Sequence, residues 1–263
     1  MSEIGEALEA AWNALDAGDP ETALEAAASV PMDDPGRFLV TAEAWIELGE
    51  QAEAASALEG AEKLLGADHE ELAFTRGRLR ILEWRPAEAR AELERLKPDV
   101  FGAPLLVNLA LAAEMEGDLR RADRLYADAA QLDPENASVP PRLSGDAFER
   151  CVAEAAEELP PEFRAAFERT AVVIDAMPTA EVLDAANTGH PPDTLGVFVG
   201  ALLHENDPVP GELPPTIFLF QRNLERIARD HAELVAEIKT TLYHELGHAL
   251  GFDEEGVDDM GLG

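Results

Sequence analysis

The sequence is short of cysteine and of long hydrophobic runs. Cys151 is the only cysteine among the 263 residues, so we expect neither an internal disulfide nor a thiolate metal cluster. The longest apolar runs are only a few residues long, far below the roughly 20 residues that cross a bilayer. The first residues carry acidic side chains where a secretory signal carries Lys or Arg. We therefore predict a cytoplasmic protein with no membrane segment.

Positive charge is also scarce. The chain has 20 Lys and Arg residues against 54 Asp and Glu residues, which gives a formal net charge of −34. Such a surface repels phosphate groups and anionic lipids, so we expect neither a nucleic-acid partner nor a membrane surface. Solubility is the simplest explanation of this charge. A preference for basic peptides or proteins is compatible with it but is not required by it.

Residues 3 to about 133 predict one helix after another, because they are rich in Ala, Leu and Glu and poor in strand formers. The same turn pattern recurs at intervals of 31, 35 and 33 residues, at Gly18, Gly49, Trp84 and Gly117. Five residues after each of these positions stands an alanine: Ala23, Ala54, Ala89 and Ala122. Small residues at a fixed interval indicate stacked helical hairpins whose backbones approach closely.

The last unit, LALAAEMEGDLRRADRLYADAAQLDPEN, resembles a tetratricopeptide repeat. It has Gly117 at the turn, Ala122 at the helix contact, Tyr126 as the aromatic position and Asp133-Pro134 at the end of the second helix. We predict an all-α, tetratricopeptide-like repeat domain at residues 1–135, with about four degenerate repeats and the first as a cap. The resemblance implies a surface for a peptide or protein partner. The alternative is that the repeats pack on the second half and shape its cleft.

The best-known peptide clamp of that family holds a C-terminal carboxylate with Lys, Arg and Asn. The corresponding positions here do not carry that basic set: Thr41, Ala42, Trp45 and Asn108. A basic or apolar ligand is therefore favoured over an acidic one.

Residues 136–145 are predicted to be a linker, because the segment around them is rich in Pro, Asn and Ser and breaks the repeat pattern. After it, an amphipathic helix begins at Asp146 and ends at Pro160-Pro161. Short apolar runs predict three strands, with a loop at residues 177–193 between the first two and two helices after the third. The predicted strands are 171–175, 195–202 and 216–220, and the predicted helices are 222–229 and 231–250.

The last predicted helix carries the pattern HExxH in His244, Glu245 and His248. Residues four apart lie one above the other on a helix, so the two imidazoles can bind one metal ion. Glu245 is placed to accept a proton from a water molecule on that metal. At about 100° per residue, the aliphatic side chains gather on one face and both histidines fall on roughly the opposite one. We therefore predict that the histidines face a cleft and not the core.

The second half as a whole resembles the small zincin-like metallopeptidases of bacteria, single domains with a minimal matrix-metalloprotease-like core. The shared features are an F-E-x-x-V helix ending in L-P, a V-V-I-D strand, LGVFVG, L-P-x-x-I-x-L-F followed by L-E-R, and HELGHALG. The resemblance implies a small α+β zincin-like domain at residues 146–263, Zn²⁺ as cofactor and peptide-bond hydrolysis with Glu245 as general base. The LGVFVG segment is either the edge to which substrate adds as an extra strand or an ordinary core strand.

A third metal ligand is expected just after the helix. Gly251 stands where a helix ends in a left-handed turn, and this reversal can bring a later residue back to the metal. In the longer zinc-protease pattern HExxHxxGxxH the third ligand is the eleventh residue, which is Glu254 here. The adjacent Asp253 is the alternative, since members of the small family most often have Asp near this register. We favour Glu254.

Groups that would stabilise the transition state are not evident. Tyr243 and Arg222 are the only polar candidates, and no His or Tyr follows Gly251. Met260 is similar in type to the methionine that underlies the metal in related proteases, but the spacing is very short, and we favour core packing or a frayed terminus as its explanation.

The leading hypothesis is a zinc-dependent peptidase whose repeats recruit a substrate or a partner. The alternative is a protein- or peptide-binding adaptor with a catalytically idle zincin domain. A purely structural metal is a third possibility, which an open site with two histidines and one carboxylate argues against.

Overall fold

The computed structural model of the chain describes residues 3–186, 191–203, 213–253 and 256–257. The chain divides into two compact units, Met1–Ser138 and Val139–Gly263, and this division falls inside the predicted linker. Among the described residues, no helix combines the length and the hydropathy that are needed to cross a membrane.

The N-terminal unit consists of helices throughout its described residues. Eight helices follow one another in the chain: α1 Glu3–Asp16, α2 Pro20–Ala28, α3 Pro35–Glu47, α4 Gln51–Leu65, α5 Glu70–Leu82, α6 Pro86–Leu93, α7 Pro98–Met115 and α8 Leu119–Leu132. Each helix packs against the next one, so the unit is a series of helical hairpins. The predicted helical character is thereby confirmed. The assignment of these hairpins to the tetratricopeptide family stays a prediction.

Left-handed turns join the two helices of each hairpin at the four positions that recur in the sequence. Gly18, Gly49 and Gly117 have φ angles of 74°, 78° and 79°, and Trp84 has a φ of 60°. In each turn the next N–H donates to the carbonyl five residues back at 2.8 or 2.9 Å, as in a Schellman motif. A tryptophan in this conformation costs roughly 1–2 kcal/mol, which the packing of the hairpin must offset. The aligned tryptophan thus adopts the same left-handed backbone conformation as the three glycines.

The alanines five residues after these turns lie where helices touch. Ala23, Ala54, Ala89 and Ala122 all have an exposed fraction of 0%. Close packing leaves no room for a longer side chain at such a contact without moving a helix. The prediction that the small residues mark helix contacts is confirmed.

The C-terminal unit places helices on a small sheet. In chain order its described elements are α9 Gly145–Glu157, α10 Pro161–Phe167, β1 Ala171–Asp175, α11 Ala180–Ala185, β2 Gly196–Val199, β3 Thr216–Phe220, α12 Gln221–Ile227 and α13 His231–Ala249. The strand order is β1-β3-β2. Strands β1 and β3 are parallel, with Ala171 opposite Thr216, and β2 is antiparallel to β3, with Gly196 opposite Leu219. Within the described residues, β2 is therefore an outer strand.

One core unites this unit. Helices α9, α10, α12 and α13 cover the face of the sheet that carries Ile217 and Leu219, both fully buried on β3. Phe148 on α9 is also 0% exposed, so the helix ahead of the sheet belongs to the same core.

Two predictions for this unit were wrong in part. Residues 177–193 contain a helical turn, α11, where a loop was expected. Thr179 caps it by accepting the Val182 N–H at 3.3 Å, and Leu183 buries its side chain, so a local cap and one apolar contact outweigh the loop-forming residues nearby. Strand β2 is shorter than the predicted 195–202, because Gly200, with a φ of 113°, turns the chain away after Val199.

Candidate metal centre

Helix α13 holds the candidate site, and its apolar face fixes the helix on the core. Asp230 caps its first turn by accepting the Glu233 N–H at 3.0 Å. The aliphatic side chains of the predicted face are all at most 5% exposed: Leu234, Val235, Ile238, Leu242, Leu246 and Ala249. The prediction from the helical period is therefore confirmed.

The two histidines of the pattern point away from that face. His244, Glu245 and His248 line a cavity of about 440 Å³. The Nε2 atoms of the two histidines lie 3.1 Å apart, and their rings meet nearly edge to face at an interplanar angle of 77°. The structure therefore brings together the two predicted imidazole ligands and the predicted general base.

The turn that ends α13 orients one of these imidazoles. Gly251 has a φ of 93°, and its N–H donates to the His248 carbonyl at 2.9 Å, while the Phe252 N–H donates to the Gly247 carbonyl at 3.1 Å. This Schellman motif brings the Phe252 carbonyl oxygen to 3.1 Å from His248 Nδ1. A carbonyl only accepts, so we assign the proton of a neutral His248 to Nδ1, which makes Nε2 the acceptor that faces the cavity.

This geometry fits a zinc ion. Two imidazole nitrogens on one tetrahedral zinc, each at about 2.0–2.1 Å from it, are about 3.3 Å apart, and the observed separation is 3.1 Å. At this separation His248 Nε2 accepts either a proton held by His244 Nε2 or a bond to a cation between the two nitrogens. The outer hydrogen bond from His248 to a backbone carbonyl is the arrangement that zinc-binding histidines commonly show. The two histidines are therefore suited to supply two of the ligands of a zinc ion.

Glu245 lies beside the first histidine and is 7% exposed. It lines the same cavity as His244 and His248. A carboxylate at this position lies within the cavity and is largely removed from bulk water. It can exchange protons with a molecule bound beside the two imidazoles.

The described residues contain one of the two candidates for the third ligand, Asp253. Glu254, the predicted ligand, lies outside them. Asp253 lines the cavity, but its Oδ1 accepts the Gly256 N–H at 3.0 Å and so caps the next turn. Among the described residues no group of three or more His, Cys, Asp or Glu side chains is arranged to hold a metal ion.

The candidates for transition-state stabilisation are not brought to the site. The Tyr243 ring packs edge to face on Phe163 in the core, with ring centroids 4.0 Å apart, and does not line the cavity. Arg222 does not line it either, and its backbone N–H donates to Ala176 at 3.0 Å. Met260 lies outside the described residues. For Tyr243 and Arg222 the expectation is wrong, because neither position faces the cavity once α12 and α13 pack on the sheet.

Several residues of the cavity wall were not expected from the sequence. Apolar side chains from four segments close it around the histidines: Ala186, Val197, Phe198, Leu202 and Phe252. Their residue types are those of any core, so only the packing distinguishes them. Val197 and Phe198 are consecutive on β2, and consecutive side chains point to opposite faces of a sheet. The cavity therefore follows the outer edge of that strand.

A comparison with protein families gives one match. The model for "Zincin-like metallopeptidase" covers residues 167–262, which include β1 to β3, α13 and the cavity-lining histidines. A search of curated proteins finds no match. The match begins at Phe167, the last residue of α10, so it leaves out α9 and most of α10, although both helices belong to the same packed core. Over residues 167–262, this chain is therefore similar to the zincin-like metallopeptidases.

Proposed function

We propose that this chain is a zinc-dependent peptidase. The observation that supports this most directly is the position of two imidazoles, 3.1 Å apart, beside a largely buried carboxylate in one cavity of a zincin-like domain. His244 and His248 are the first two ligands. Glu254 is the third, a choice supported by the engagement of Asp253 as the cap of the next turn.

In this proposal Glu245 is the general base and then the general acid. A bound zinc ion supplies Lewis acidity, which makes water a nucleophile near neutral pH and polarises the scissile carbonyl. The Glu245 carboxylate accepts a proton from the attacking water and passes it to the leaving amine. The His248 Nδ1–H to Phe252 hydrogen bond holds the ring so that Nε2 stays directed into the cavity. The apolar wall around Glu245 limits the access of bulk water.

The substrate is a peptide or protein that lies along β2. The outer edge of this strand borders the cavity, so an extended peptide can pair with it and bring its backbone beside Glu245. The N-terminal helical hairpins recruit the substrate or a partner protein. The excess of Asp and Glu residues favours a basic peptide.

The decisive experiment measures metal and cleavage together. Purified wild-type protein, Glu245→Gln and His244→Ala are loaded with zinc, dialysed, analysed for metal content and tested on a peptide library. We expect zinc near one per chain in the wild type and in Glu245→Gln, and a cleavage rate lower by roughly 10²–10⁴-fold in Glu245→Gln. A chelator should abolish wild-type cleavage, and added zinc should restore it.

Glu237→Gln on the same helix is the matched control, because Glu237 does not line the cavity. It should leave cleavage unchanged. If the wild type takes up no zinc, the proposal fails. If the wild type binds zinc and peptides but cleaves none, the protein is an adaptor with an idle domain.

A further inference from the structure

The N-terminal unit contains a second cavity that the peptidase proposal does not use. It lies between α3 and α4, has a volume of about 430 Å³ and is open to the surface. On α3 the cavity is lined by Arg37 and by Phe38, Thr41 and Trp45. The last three are spaced three and four residues apart and so share one face of the helix. Met32 lies at its mouth and is 64% exposed.

The aromatic walls of this cavity are held rigidly. Phe38 and Trp45 are partly buried and pack against the core of α3, α4 and α5. Gly60 on α4 lies so close to Phe38 that a Cβ atom there would come within 2.5 Å of the ring. A preformed apolar wall costs little conformational entropy on binding. Met32, by contrast, is free to adapt its shape to a ligand.

The segment that forms this cavity is strongly acidic. Residues 3–65, which span helices α1 to α4, contain fifteen Asp and Glu residues and two basic ones, Arg37 and Lys63. The Arg37 guanidinium donates to the carbonyls of Ala28 and Val30, at the C-terminal end of α2, where it offsets the helix dipole. Glu53 on α4 lines the cavity and is exposed. A cation is therefore favoured at the rim, and the faces of the aromatic rings attract it further.

We infer that this cavity binds a basic peptide segment of a partner protein, with an apolar side chain between the aromatic rings and an arginine or lysine beside Glu53. The apolar wall favours an apolar side chain in the cavity, and the acidic surroundings favour a positive charge on the peptide. This site belongs wholly to the N-terminal unit. It does not depend on a metal ion or on peptidase activity.

The test uses the full chain with Glu245→Gln, so that any cleavage of the peptides is slow. Three short fluorescent peptides are titrated by anisotropy: one of arginine and leucine, one with glutamate in place of arginine, and one with serine in place of leucine. We expect only the arginine–leucine peptide to bind well. The double variant Met32→Ser/Glu53→Lys should weaken its affinity by about tenfold or more.

The matched control is Val100→Ser/Glu59→Lys. Val100 is 64% exposed, like Met32, and neither Val100 nor Glu59 lines the cavity. This control makes the same changes of charge and apolar surface, and it should alter affinity by less than about twofold. Equal weakening by both double variants would overturn the inference, because it would indicate attraction to the overall charge. Equal binding of the glutamate peptide, or no binding of the arginine–leucine peptide at millimolar concentration, would also overturn it.

Discussion

His248 Nδ1 lies 3.1 Å from the carbonyl oxygen of Phe252, and this contact exists because Gly251 between them has a φ of 93°. Alanine in this conformation is strained by roughly 1–2 kcal/mol, so Gly251→Ala should open the turn and release the imidazole. We expect a roughly 10–100-fold loss of zinc affinity, measured by competition with a chromophoric chelator.

Gly251→Asn is the informative companion variant, because Asn tolerates the left-handed conformation better than Ala. It should retain most of the affinity. Gly145→Ala, at an open position in the same unit, should have no effect. If Gly251→Ala binds zinc as tightly as the wild type, the turn does not orient the ligand.

Substitution of the two neighbouring acids separates the candidates for the third ligand. Loss of an outer hydrogen bond to a ligand typically lowers zinc affinity by roughly 10–100-fold. Glu254→Ala removes a ligand itself, so it should lower zinc affinity by more than this. Asp253→Ala removes the acceptor of the Gly256 N–H and should have the smaller effect on zinc. Zinc affinity is measured for both variants in the same assay. The reverse order would assign the third ligand to Asp253.

The buried carboxylate of Glu225 should be essential for the stability of the C-terminal unit. Glu225 is 0% exposed and accepts the Leu143 N–H at 2.9 Å and Gln221 Nε2 at 2.7 Å, and it pairs with Arg142 at 3.2 Å. Glu225→Ala leaves these donors without that acceptor, so the free energy of unfolding should fall by about 3–5 kcal/mol. Urea denaturation of the full chain measures the change.

The control for this prediction is Glu158→Ala, which removes an exposed ion pair with Lys239. It should cost less than about 1 kcal/mol. If both substitutions lower the free energy of unfolding by a similar amount, the burial of Glu225 does not strengthen its contribution to stability.

Asp19 should stabilise α2 in a pH-dependent way. Hydrogen bonds from the backbone N–H and then the side chain of Thr22 hold the pKa of Asp19 below its ordinary value. A carboxyl group with a lowered folded-state pKa contributes stability that is present above the unfolded-state pKa and is lost as the pH falls through the folded-state pKa. Asp19→Ala should therefore lower the Tm at pH 7, and the difference from the wild type should shrink below about pH 4.

Asp19→Asn should keep most of the cap at both pH values, because its amide oxygen also accepts the Thr22 N–H. The Tm of the wild type and of Asp19→Ala is compared at pH 7 and at pH 3. If the difference is the same at both pH values, the ionised carboxylate is not its cause.

Much of the fold could be predicted from short windows of sequence. Residues within a few positions of one another were enough to predict three features. These are the positions of β1 and β3, the phase of α13 and each of the recurring turns. Trp84 could be aligned with glycines because the residues around it repeat, even though its own type argues against a left-handed turn. Helix α11 was not predicted, because the Thr179 cap is a weak signal within a segment rich in loop formers.

The side of α13 that carries His244 and His248 followed from local sequence alone, because the helical period and the aliphatic residues leave no other orientation. The surroundings of the two histidines depend on packing between elements that are distant in the chain. Three of these contacts bring together residues from different segments or reverse the chain. Tyr243 packs on Phe163, β2 borders the cavity, and the turn after α13 brings the Phe252 carbonyl to His248. Residue types alone do not specify such contacts, because many packings of the same apolar side chains satisfy the same local pattern.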